Sequence, residues 1–400
     1  MLSFFTEKIA QTFFILALFP YVSFGTNTMD TQPHFIIFAI ISFFCFALSG
    51  PVFKKSINLI ILSLVIFLTL LFFTSKFDFL FFRGVSSYSG FIITLIASII
   101  YIERYGIPVK TIVIANICYL ISAILQTFYG PHILSFLVDP NSFADPSRGV
   151  ISLTPEPTFF GIILFFFGWI YLLTYDYRPP LYIRILILLN IFFIVFFAKS
   201  SMTIVFMLVG LSVYLLRNFK KKMILIYILS TSLIASLCLF LFMFVFPGSR
   251  FSSLFNILFQ LDGSFFERIK GLIFFDASIN DRLLNVVFPY FGFIFNNGLP
   301  GGLHSFNDTT IILVDYFNGY FWSGLGSNKI LSFIGAIIYE LGILGLIFIL
   351  YLQTLLMDRN NSNRIFELLL LFILLNSAIP VGYPMIPILM AIMYYKKTNS

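Results

Sequence analysis

The residues best placed to do chemistry lie in one run, Arg148-Gly149-Val150-Ile151-Ser152-Leu153-Thr154-Pro155-Glu156-Pro157-Thr158-Phe159-Phe160-Gly161. A guanidinium is followed by a carboxylate and two prolines, directly before a long apolar stretch. Proline steers the residue ahead of it away from helix, so Thr154 and Glu156 are expected to be extended. Pro157 suits a first helical turn, where its missing N–H has no partner to lose. Glu156 is then held stiffly at the end of a span. It can serve a reaction there, or it can be a charged residue anchoring a helix end.

Other groups add to this one. Arginine pairs with phosphate oxygens through two parallel bonds, lysine as a point charge. Arg148, Arg250, Arg268 and Arg282, with Lys199, could together surround a pyrophosphate. Each alone could equally meet a headgroup or a neighbouring acid, as Glu267 with Lys270 or Asp281 with an adjacent arginine. Lys199 ends an apolar run in Lys199-Ser200-Ser201, a tight turn from which it could snorkel to the interface. Glu340 sits in Tyr339-Glu340-Leu341-Gly342-Ile343-Leu344-Gly345. An ionisable group at membrane depth is a functional candidate, although a cap or a bond between helices would also hold it. His304 follows the glycine-rich turn Asn297-Gly298-Leu299-Pro300-Gly301-Gly302-Leu303. It suits a mobile general base or a phosphate contact, with a plain solvated histidine as the alternative.

The elements that must carry these residues are apolar throughout. Of 400 residues, 60% are hydrophobic and 10% charged, with 56 phenylalanines and a mean hydropathy of +1.01. Apolar runs near 20 residues are membrane spans. The fold expected is all-α: a polytopic integral membrane protein of about 12 transmembrane helices, residues 1–400 forming one membrane domain. The spans fall at 9–24, 35–53, 57–74, 88–102, 111–129, 157–175, 183–198, 201–216, 223–246, 337–356, 365–378 and 383–395. The last two surround Pro380, Pro384 and Pro387 and could be one broken hairpin.

Basic residues orient the spans. Lys8, Lys54, Lys55, Arg104, Lys110, Arg178, Arg184, Arg217, Lys220, Lys221, Lys222, Arg359, Arg364, Lys396 and Lys397 all fall on one side if both termini are cytoplasmic. Two long loops then face outward, 130–156 and 247–336. The second opens with Phe251, Leu254, Phe255 and Leu258 at helical spacing and continues with Phe265, Ile269, Leu272 and Ile273, helices suited to an interface. Ser278 or Asn280 could cap a further helix carrying Arg282. A loop of this size is expected to fold over the mouth of a cavity.

The remaining composition excludes classes. The net charge of +7 sits beside spans, so nucleic acid is not an expected partner. Cys45, Cys118 and Cys238 lie inside apolar runs and are spaced for neither disulfide nor metal. There is no Walker loop, no Gly-x-Ser-x-Gly elbow and no His-Glu-x-x-His motif. No metal site and no cofactor is expected. With short inner loops, substrates are expected at the outer leaflet, carried by lipid.

Arg148 with Glu156-Pro157-Thr158 and Gly161 resembles the Arg…Glu-Pro-Ser/Thr…Gly pattern of the O-antigen/polysaccharide repeat-unit polymerases, a family related to the O-antigen ligases. Arg282 ahead of a glycine-rich turn in a large outer loop, and the Glu340-Leu-Gly-Ile-Leu-Gly start of the next span, agree with it. Lys199-Ser200-Ser201-Met202-Thr203 departs from it, since relatives often carry an arginine there. The resemblance implies a fold similar to the lipid-dependent, GT-C-like glycosyltransferases. It also implies a bacterial inner-membrane enzyme polymerising undecaprenyl-pyrophosphate-linked oligosaccharide at the outer face, with Glu156 or His304 as base and a chain-length regulator as a possible partner. The alternatives are a ligase moving glycan to lipid A core, and a flippase that transports the lipid-linked unit. A transporter more often places charge at the bilayer midplane, where these spans are nearly free of it.

Overall fold

In hydrocarbon a backbone can satisfy its polar groups within one segment only by forming helix, and helix is what the computed structural model shows. It describes residues 2–23, 31–49, 54–138, 149–217, 250–326, 328–358, 363–377 and 379–399. Among these there is no strand, only an isolated bridge between Ser332 and Ile379.

Among the described residues, five helices are long and apolar enough to cross a membrane: Ser56–Phe73, Phe79–Tyr105, Val109–Tyr129, Pro157–Thr174 and Leu181–Ala198. His34–Ser49, Ser201–Tyr214 and Ile343–Leu356 are apolar but shorter. The span expected at 223–246 lies outside the described residues. On the first of the five, Ile57, Ile61, Leu64 and Phe72 are all exposed. Side chains of this kind gain about 1.5–3 kcal/mol each on leaving water, so a surface covered with them belongs in hydrocarbon. The protein is membrane-embedded.

The chain packs as two compact units, each assembled from separate stretches. The first comprises residues 1–56, 91–237 and 383–400; the second comprises 57–90 and 238–382. In the first unit, α1 (Leu2–Leu18) packs on α2 (His34–Ser49) and on α5 (Val109–Tyr129). α6 (Pro157–Thr174) is covered by α5, α7 (Leu181–Phe193), α8 (Ser201–Arg217) and α16 (Met385–Thr398). Phe160, Phe166, Phe167, Trp169 and Tyr171 of α6 are accordingly buried. α7 runs into a π turn at Ile194–Ala198 and stops at Lys199, whose φ of 47° is left-handed.

The second unit takes α3 (Lys54–Phe73) from Ile57 onward and the first residues of α4 (Phe79–Tyr105), as far as Gly90. α4 starts nine residues before the span expected from the sequence. Within residues 250–326 the chain forms α9 (Arg250–Gln260), α10 (Phe265–Phe275) and α11 (Ala277–Phe295), where helices are expected, and also α12 (Phe306–Tyr316), where none is. α10 begins with a capping box between Ser264 and Glu267. The cap of α11 is neither Ser278 nor Asn280 but Asp276, whose side chain accepts the Ile279 N–H. Asn280 lies inside the helix and holds the backbone at Ile273, Tyr320, Trp322 and Ser323 instead.

α13 (Phe333–Leu341) packs on α11 and on α14 (Ile343–Leu356), and α15 (Asn363–Leu375) follows in the same unit. The span expected at 337–356 is therefore broken. Gly342, at φ +61°, separates its two helices, and a Cβ there would lie 2.4 Å from the Gly298 carbonyl. The break lets the Ile343 N–H bond Gly298, which brings the glycine-rich turn onto the α13–α14 junction.

Candidate functional site

The second unit brings His304 and Glu340, separately singled out in sequence, against one loop. Gly301 N–H donates to the Tyr339 carbonyl at 2.9 Å, and Gly302 N–H to the Glu340 carbonyl at 3.3 Å. On its other side the loop is registered residue by residue against the α3–α4 turn. Gly302 lies so close to that turn that a Cβ would meet the Phe73 carbonyl oxygen at 2.3 Å. Leu303 N–H donates to Thr74 Oγ1 at 3.3 Å, and Leu303 fills the space where a Cβ on Gly84 would be. His304 Nε2 then lies 3.1 Å from Asp78 Oδ1, close but without the alignment of a hydrogen bond.

The His304 side chain is only 8% exposed, so this is not the solvated loop histidine of the plain alternative. Asp78 also caps α4, its Oδ1 accepting the N–H groups of Leu80 and Phe81. The Asp78 carboxyl is held below the ordinary aspartate range. Desolvation, the largest single influence, raises it, but the Phe81 N–H, the His304 imidazole and the Leu80 N–H together outweigh it. A carboxylate facing Nε2 favours the proton on that nitrogen and leaves the lone pair on Nδ1.

Glu340 is buried, and its Oε2 accepts the Tyr88 hydroxyl at 2.5 Å. A bond between helices is thus part of what holds it. Its neighbour Tyr339 shares its hydroxyl with Ser305 at 2.8 Å and Thr309 at 2.6 Å, and Ser305 Oγ donates to the Gly301 carbonyl. The loop is hydrogen-bonded on both faces; it carries the buried His304 imidazole, and its glycines bond the backbone at Tyr339 and Glu340, whose carboxyl is paired with the Tyr88 phenol.

Of the expected cationic set, Arg268 and Arg282 have described side chains in this unit. Arg268 Nε donates to the Gly263 carbonyl within its own turn, at the exposed start of α10. Arg282 lies beside Asp281, whose carboxyl burial raises and Arg282 partly lowers again. Arg250 opens α9, and Arg148 lies outside the described residues.

The first unit holds Glu156 and Lys199. Pro157 acts as expected, while Thr154, ahead of Pro155, sits in a bend with its N–H on the Ile151 carbonyl. Glu156 is extended at φ −144° and ψ 150°, and α6 starts at Pro157. The run before it is pinned strongly. Buried Gln126 of α5 accepts the Ser152 N–H at 2.6 Å and donates to the Ser152 carbonyl at 2.9 Å. Ser152 Oγ donates to Tyr119, and Thr154 Oγ1 to the carbonyls of Ile151 and Glu156. Val150 N–H donates to Phe197 at 2.8 Å, so the run lies against the π turn that ends at Lys199. The Glu156 side chain itself is exposed and makes no cap bond.

Sequence alone did not single out Asp78, Tyr88, Thr74 or Gln126. An aspartate before an apolar run does signal a helix cap, and Asp78 is one. Nothing local shows that the same oxygen faces a histidine in a distant loop.

Gly302→Ala should disturb this site specifically. Alanine at φ +75° is strained, and its Cβ would strike backbone that cannot move aside cheaply. We expect about 2–3 kcal/mol of destabilisation, read as a lower melting temperature in detergent, together with displacement of His304. No protein-family model, curated protein or solved structure matches the chain.

Proposed function

We propose that the protein is a membrane glycosyltransferase that polymerises undecaprenyl-pyrophosphate-linked oligosaccharide repeat units at the outer face of a bacterial cytoplasmic membrane. The observation that carries this reading is His304, buried and registered by a glycine loop beside Glu340 in a helical, apolar chain. The resemblance of the Arg148–Gly161 run to repeat-unit polymerases supplies the substrate class. Twelve spans, cytoplasmic termini, an outward 247–336 loop and association with a chain-length regulator belong to the same proposal.

The chemistry balances with the chain's own groups. An acceptor sugar hydroxyl attacks the anomeric carbon of the lipid-linked donor. The glycosidic C–O bond forms as the anomeric carbon–oxygen bond to pyrophosphate breaks, and lipid pyrophosphate leaves with the electron pair. His304 takes the hydroxyl proton at Nδ1, a role that general bases perform at roughly 10²–10⁴-fold. Glu156 is the other candidate for the base, and arginines stabilise charge developing on the leaving group.

The test is reconstitution. Purified protein in nanodiscs, given only lipid-linked repeat units, should produce a ladder of longer glycans and release polyprenyl pyrophosphate. Growth only when lipid A core is added would make it a ligase. Transbilayer movement of the labelled lipid without new glycosidic bonds would make it a transporter.

A further inference from the structure

Asp78 belongs to neither the Arg148–Gly161 run nor the 247–336 loop, yet it is the charged group in contact with His304. One oxygen, Oδ1, accepts the Leu80 N–H at 2.9 Å and the Phe81 N–H at 3.1 Å, and it also lies 3.1 Å from His304 Nε2, in ion-pair contact though not aligned as a hydrogen bond. A helix cap needs only the first two. The third exists because Gly302 and Leu303 are fixed against Phe73 and Thr74, so the register of the loop delivers the imidazole to the cap. Half of the Asp78 side chain is exposed, so the carboxylate is not buried for packing.

Other ionisable groups sit on the surrounding elements. Tyr88 and Glu340 are bonded to each other, and Tyr339 to Ser305 and Thr309. Lys76 is exposed in the turn, Asp308 is exposed on α12, and Arg83 is half-buried one turn into α4. Among the described residues, Asp78 is the one whose charged atom reaches the ring.

We infer that Asp78 is a positioning residue for His304: its carboxylate fixes the imidazole as the Nε2–H tautomer and keeps the Nδ1 lone pair available as the base. This rests on the reading of His304 as proton acceptor in the proposed reaction. A histidine whose second nitrogen faces a carboxylate is held in both tautomer and ring orientation, the arrangement that general bases and metal ligands share. Asp78 touches no reacting atom and acts through the ring alone.

Two substitutions separate capping from positioning. Serine caps a helix about as well as aspartate but is too short to meet the imidazole. Asparagine keeps the cap and an acceptor oxygen but loses the charge. The chain is prepared in nanodiscs with His34→Gln and His132→Gln, so that His304 is the only histidine, and labelled with ¹⁵N-histidine. Solid-state NMR at alkaline pH should show a protonated Nε2 and an unprotonated Nδ1. Asp78→Ser should give a mixture of tautomers, with kcat for polymer growth about tenfold lower, KM unchanged and the melting temperature matched. Asp78→Asn should fall between, and Asp78→Glu should restore most of both.

Unchanged tautomer and unchanged kcat in Asp78→Ser, at matched stability, would reduce Asp78 to a helix cap and overturn the inference. Activity lost only in proportion to stability would do the same. If no polymer forms even in the parent chain, the proposed function fails. The tautomer signal still reports whether Asp78 sets the ring, so the two failures are distinguishable.

Discussion

Replacing His304 with alanine is expected to lower polymer formation by about a hundredfold or more, the loss that follows removal of a positioned general base. The protein should remain folded. Its loop stays tied by Gly301 to Tyr339, by Gly302 to Glu340 and by Leu303 to Thr74, none of which involves the imidazole. Removal of a buried ring leaves a cavity, so His304→Gln is the better-packed partner experiment. Glutamine fills much of the volume and can hydrogen-bond, but it cannot accept a proton near neutral pH. Equal losses in both variants, at matched protein levels and melting temperatures, identify proton transfer as the role. Recovery in His304→Gln alone would show that the side chain only packs. Addition of free imidazole to His304→Ala should restore part of the rate, since a small base can occupy the vacated space.

How much of this site was legible in sequence differs residue by residue. The extended Glu156 and the helix opening at Pro157 follow from proline alone, and the structure has both. His304 and Glu340 stood out because ionisable groups are rare in so apolar a chain. Their association did not, because it depends on Gly342 breaking the span and letting Gly298 and Gly301 bond to its two halves. A glycine inside an apolar run reads as a small residue; only its φ of +61° shows that it separates two helices. The start of α4 was placed too late, because Arg83 interrupts the hydrophobic signal while leaving the helix intact. The division into two units was hidden for a related reason. Each unit draws on stretches far apart in the chain, and Tyr88 reaches Glu340 across 252 residues. Periodicity reports which face of a segment is apolar, not which distant segment covers it.

The second large effect is expected from Glu156→Gln. If the carboxylate served the helix, glutamine would replace it at little cost, since an amide can also accept N–H bonds. Glu156 does not serve the helix in that way: its side chain makes no cap bond, and it is exposed at the N-terminus of α6. The backbone around it is nevertheless fixed. Gln126 holds both polar groups of Ser152, and Thr154 Oγ1 bonds the Glu156 carbonyl. A charge held rigidly, exposed and unused by the fold fits a role toward substrate. Removing it should cost polymer formation about a hundredfold while leaving the melting temperature unchanged. Arg148→Ala should match it, and Arg148→Lys should recover only part, because a point charge cannot reproduce the two-pronged contact. Glu156→Gln with near-normal polymer, at equal protein abundance, would leave the run as a rigid support for α6 and place the chemistry with His304 alone.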